Sequence, residues 1–199
     1  MHDSEIAMTE GAGKSADWSA IRKQLASFEK PELIALVKDL YDGAAGNRDF
    51  IQARCGQGGS TEGILERYRA RIVNQFFPAQ GEGKLRLGEA KQAIREYRKA
   101  TANVSGTVEL LMTYVENGAR FTEQYGDIDE RFYSSIESAL MDLAVLLRGE
   151  ARALYPQFKE RLADVEQATQ GIGWGFHDSI GDVVGQLESE LGKTDNRSA

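Results

Sequence analysis

The stretch Asp127-Ile128-Asp129-Glu130, continued by Phe132, Ile136, Leu140, Leu143 and Leu147, decides the fold. Its apolar residues recur at steps of three and four, the spacing that lines one face of an α-helix. The Asp-x-x-Glu form at its head is that of a capping box, in which the first and fourth side chains satisfy each other's backbone N–H groups. The run Leu140-Met141-Asp142-Leu143-Ala144-Val145-Leu146-Leu147 is apolar nearly all round, so this helix is expected at the centre of the core.

The same spacing extends in both directions. Toward the N-terminus, Val108, Leu111, Met112, Val115 and Ala119 predict a helix capped by Ser105 and ended by Gly126. Leu87, Ala90, Ala93, Ile94 and Tyr97 predict another, and Ile64, Leu65, Tyr68, Ile72, Val73 and Phe76 a third, stopped by Pro78. A short helix from Asn47 to Cys55 is expected with Asn47 as its cap. Leu33, Leu36, Val37 and Leu40 follow Pro31, which suits a first helical turn, and Trp18, Ile21, Leu25 and Phe28 form a stripe ahead of it. Toward the C-terminus, Pro156 opens a helix through Phe158, Leu162 and Val165, and a last helix spans about Asp178 to Leu191, capped by Asp178. No stretch keeps a period of two. The expected fold is all-α, a compact multi-helix bundle or a short α-solenoid of seven to nine helices with no significant sheet. Residues 1–14 and 192–199 read as flexible tails, leaving 15–191 as a single all-α domain.

Composition narrows the function classes. Of 199 residues, 41% are hydrophobic and 28% charged, which suits a globular domain and not a disordered chain. Cys55 is the one cysteine, so an intrachain disulfide and a multi-cysteine metal site are excluded. No apolar run approaches the length of about 18 residues that a membrane span needs, and Met1-His2-Asp3-Ser4-Glu5 has no leader-like character. No membrane association and a cytoplasmic setting are therefore expected. The formal charge is −7, from 24 basic and 31 acidic side chains, yet residues 64–99 carry 9 basic against 4 acidic ones. That segment is +5 within a remainder of −12, an asymmetry that can steer a partner.

Motif candidates were weighed against simpler readings. Gly11-Ala12-Gly13-Lys14-Ser15 has the end of a phosphate-binding loop, but Met8 stands where its first glycine belongs and no strand precedes it, so it reads as tail. His177-Asp178 resembles a metal-binding doublet without the further histidines such a site needs. Cys55, at a helix C-terminus where the dipole does not favour a thiolate, reads as a small buried hydrophobe. Glu123, Asp127, Asp129 and Glu130 cluster, but capping accounts for two of them and a calcium-loop spacing is absent. No Glu-x-x-His occurs, which excludes a di-iron bundle of the usual kind. No catalytic, metal or cofactor residues are assigned.

Two regions keep positive weight. Arg67, Arg71, Arg95, Arg98 and Lys99, interleaved with Tyr68, Phe76, Phe77 and Tyr97, form a candidate interaction surface of the mixed charged and aromatic kind used on nucleic-acid backbones. Tyr68, Phe76 and Tyr97 fall on apolar stripes, however, and are expected inside. The glycine-rich turn Gly171 to Asp178 offers a candidate pocket of Trp174, Phe176, His177 and Asp178, against the simpler reading of a tight turn with Trp174 in the core.

Several stretches together are similar to a family of uncharacterised, mainly bacterial helical proteins, domain-of-unknown-function family 6155. The resemblance rests on Pro31-Glu32-Leu33-Ile34 through Asp39-Leu40-Tyr41, Asn47-Arg48-Asp49-Phe50 and Phe76-Phe77-Pro78 with Leu87-Gly88-Glu89-Ala90-Lys91. It continues through Tyr114-Val115-Glu116-Asn117-Gly118, Tyr125-Gly126-Asp127-Ile128-Asp129 and Gly171-Ile172-Gly173-Trp174-Gly175-Phe176-His177-Asp178. It covers about residues 25–190 and implies an all-α domain with no established activity. The expected function is a non-enzymatic helical interaction or scaffold protein with a protein partner. A nucleic-acid accessory role for residues 64–99, disfavoured by the net charge, and a ligand-binding or enzymatic role for the Gly171 to Asp178 turn are the alternatives.

Overall fold

Residues 17–56, 61–173 and 175–192 are described by a computed structural model, and among them the chain forms nine α-helices and no strand. These are α1 (Trp18–Leu25), α2 (Lys30–Gly43), α3 (Ala45–Cys55), α4 (Thr61–Phe76), α5 (Leu87–Thr101), α6 (Val104–Tyr125), α7 (Glu130–Arg148), α8 (Tyr155–Ala168) and α9 (Phe176–Leu191). A 3-10 turn at Arg152–Leu154 leads into α8. The expected all-α class and helix number are those observed. The residues group into two compact units divided between Arg48 and Asp49, a point that α3 spans and that no break in sequence periodicity marks.

In the first unit, α2 opens as its sequence suggests. Pro31 occupies the first turn, and Glu29 and Glu32 form a capping box in which Glu29 N–H donates to Glu32 at 2.7 Å. Asn47 does not cap α3, which starts two residues earlier. Its side-chain amide donates instead to the carbonyl of Leu40 at 3.0 Å, satisfying an acceptor near the end of α2. Neither α1 nor α2 buries a residue.

In the second unit, α6 holds the centre, not α7. Thirteen residues of the 22 in α6 are buried, and it packs against α4, α5, α7 and α8. The sequence underrates this helix because many of its buried positions are Gly and Thr. The hydroxyls of Thr107, Thr113 and Thr122 bond to carbonyls one turn back, at 2.8 Å each, and so enter the core at little cost. Gly118 lets Ile136 of α7 approach closely, and Gly106 does the same for Tyr97 of α5. Tyr68, Ile72, Phe76, Tyr97, Leu110, Met112 and Tyr114 fill the interior, with Phe76 edge-on to Tyr114 at 5.4 Å between ring centres.

The caps of α6 and α7 also differ from expectation. Ala102 takes a left-handed conformation (φ 52°), so the chain re-enters a helix at Asn103, whose side chain accepts Gly106 N–H at 2.9 Å. Ser105 is thereby inside the helix. For α7 the cap is Asp129, extended at φ −142° and ψ 165°, accepting Phe132 N–H at 2.8 Å. Asp127 instead accepts the Tyr133 hydroxyl at 2.9 Å.

Candidate functional site

The basic segment does not present its five named residues on one strip. Arg67 lies 3.5 Å from Asp49, and Arg71 pairs with Glu96 at 2.8 Å while stacking over the Tyr68 ring. Lys99 sits over the ring of Phe50, on that same side. Arg95 and Arg98 turn toward α7, and Arg98 reaches Glu150 at 2.9 Å. Tyr68, Phe76 and Tyr97 are buried, as their stripes imply, so these rings serve the core and offer no stacking planes.

The turn before α9 is built for packing. Gly175, left-handed at φ 70°, is the N-cap, and Asp178 lies exposed in the first turn, so Asp178 does not cap the helix. Phe176 is buried with its ring 4.6 Å from that of Tyr133, and His177 Nδ1 lies 3.2 Å from the hydroxyl of buried Thr169. Trp174 lies outside the described residues, as does Gly11 to Ser15. Cys55 is exposed, not buried, because the inward position on that turn of α3 belongs to Ala53. Among the described residues no three His, Cys, Asp or Glu side chains converge on a possible metal position, and no helix is long and apolar enough to cross a membrane.

The feature that sequence reasoning missed is the outer face of α7. Met141 and Val145 are 54% and 66% exposed, one turn apart, on the helix expected to be wholly enclosed. A groove of about 460 Å³ runs along one side of this ridge, where Ile94, Leu111 and Leu146 supply apolar surface. Arg95 and Arg98 of α5 stand on one wall, and Asp142 and Glu150 on the other. Lys91, one turn before Arg95, has its ammonium pKa lowered by burial, with the carboxylate of Asp142 opposing that shift. A second groove, about 330 Å³, runs on the other side between α7 and α9. Arg148 bridges it at one end, bonding to Glu190 at 2.8 Å and Gln186 at 3.2 Å. A signal was present in the sequence: a helix apolar all round must either be enclosed or present a face to a partner.

The densest charge cluster is structural in kind. Arg161 of α8 makes two-pronged contacts with both Glu109 (2.7 and 3.1 Å) and Glu116 (2.6 and 2.8 Å) of α6, and Arg69 of α4 joins at Glu109 at 3.1 Å. Hydrogen bonding to Glu116 raises the guanidinium pKa above its ordinary value. Every donor of this clamp that faces a carboxylate is already used in holding three helices together. No protein-family model, curated protein or solved structure matches the chain.

Proposed function

We propose that this protein is a non-enzymatic interaction module that binds an amphipathic helix of a protein partner on its α7 face. The observation that carries the reading is the exposed Met141 and Val145 ridge beside a groove with an apolar floor and walls of opposite charge. An apolar centre with a polar rim is the arrangement of protein interfaces, and the unbranched Met side chain adapts to the surface laid on it. A helix in a groove anchors through residues one turn apart, the spacing of Met141 and Val145 themselves. The cytoplasm of a bacterium is the setting in keeping with the family that the sequence resembles, and no cofactor enters the reading.

A nucleic-acid role draws less support, because the net charge is −7 and Arg67, Arg71 and Arg98 already face carboxylates. A pocket at the Gly171 to Asp178 turn draws less still, since Phe176 is packed in the core. The test is a native pull-down scored for both protein and nucleic acid, comparing the wild type with Val145→Asp and with Arg67→Glu. A protein captured by the wild type and by Arg67→Glu, and lost with Val145→Asp, is the expected result. Equal capture by all three refutes the α7 face. Low-salt binding of a short duplex or single strand, abolished by Arg95→Glu with Arg98→Glu, selects the nucleic-acid reading instead.

A further inference from the structure

We infer that the helix received by the α7 face is α2 of a second copy of this chain, an assignment that rests on the reading of that face as a helix-binding surface. The first observation is that α2 is an amphipathic helix whose apolar face has no partner. Leu33, Ile34, Val37 and Leu40 are 37, 59, 46 and 50% exposed. At about 100° per residue these four occupy an arc of roughly 120°, the stripe that a helix normally hides.

The second observation is charge. Lys38 lies on the Ile34 edge of the α2 stripe, while Glu32 and Asp39 lie beyond its Leu40 edge. The groove has the complementary pattern, with Lys91, Arg95 and Arg98 along α5 and Asp142 and Glu150 along the α7 side. One of the two possible directions of α2 in the groove therefore sets its acidic edge against α5 and its basic edge against Asp142. Spacing agrees as well: Glu32 to Asp39 and Lys91 to Arg98 are both seven residues, about 10.5 Å of helix rise. Lys38 also pairs with Asp42 on its own helix, so the acidic edge of α2 carries the greater part of the attraction.

The third argument is area. One helix laid in one groove buries on the order of several hundred Å². A heterologous contact of this kind, exchanged reciprocally, closes a two-fold dimer and makes the same contact twice, which brings the total to about the size of a specific interface.

Sedimentation of the full-length protein from low to high micromolar concentration tests this directly. The wild type is expected to dimerise, and Val37→Asp and Val145→Asp are each expected to be monomeric while keeping the wild-type circular dichroism spectrum and melting temperature. Asp39→Arg and Arg95→Glu are each expected to self-associate about tenfold more weakly or worse. Mixed together they should associate again, since each then offers the charge that the other has lost. A wild type that stays monomeric overturns the proposal, as does a mixture that fails to associate. Dimerisation that survives Val37→Asp overturns α2 as the occupant, and dimerisation that survives Val145→Asp overturns the groove as its seat. Failure of the α7 reading itself is seen separately, as capture of a foreign protein that Val145→Asp leaves unchanged.

Discussion

Arg161 decides more than its single position suggests, because its guanidinium is shared by two glutamates of α6 that are both half-buried. Removing it in Arg161→Ala leaves Glu109 and Glu116 facing each other without their main counter-ion. The expected loss is about 1–3 kcal/mol in urea unfolding, below the full value for a buried pair because solvent reaches the site. Arg161→Met combined with Glu109→Gln and Glu116→Gln should recover much of that loss, since no bare charge remains. Tyr114 supplies a pH dependence. It is fully buried, its hydroxyl lies 2.8 Å from Ser135 Oγ, and burial pushes its pKa up to about 12. Ionisation is thus resisted in the folded state relative to an unfolded value near 10. The associated stability is fully present below about pH 10 and lost as pH rises through about 12. Urea unfolding across that window should show the decline, and Tyr114→Phe should flatten it. The apolar stripe of α6 placed Tyr114 inside, but its pairing with Ser135 and the reach of Arg161 across 45 and 52 residues have no local signature.

Among the elements, α6 and α7 exchange the roles that their hydropathy assigns. The run from Leu140 to Leu147 is the most apolar stretch, yet Met141 and Val145 face outward, while α6 buries Thr107, Thr113 and Thr122 through bonds to its own backbone. Glycine sets the closeness of the crossings. A methyl group at Gly106 would stand 2.6 Å from Cζ of Tyr97, a rigid ring, and one at Gly118 would stand 2.7 Å from Cγ1 of Ile136, which can rotate. Gly106→Ala is accordingly expected to destabilise by about 2–3 kcal/mol and Gly118→Ala by about 1–2 kcal/mol in thermal or urea unfolding. The reverse ranking would show that the α5–α6 crossing relaxes more easily than the α6–α7 crossing. Helix existence was legible throughout because the apolar period is strong. The caps were legible only in kind, since Asn103 and Asp129, not Ser105 and Asp127, have the backbone conformation that lets a side chain reach the third helical N–H.

For the whole molecule, the described core residues begin at Ala53, so every buried apolar side chain belongs to the second unit. A chain of residues 49–199 is therefore expected to unfold cooperatively with a melting temperature within a few degrees of the full-length protein, followed by circular dichroism. A collapse of the transition would mean that residues 1–48 support that core. The sequence by itself determined the all-α class, the positions of the helices, and the inward placing of Tyr68, Phe76 and Tyr97, because apolar periodicity is a local property that each segment carries alone. Only the tertiary structure decided that α6 and not α7 is central, that the basic residues divide between two sides of the bundle, and that Met141 and Val145 stand open beside a groove. Those outcomes depend on which helices meet, and each is the result of competition between faces for a limited interior that no single segment encodes.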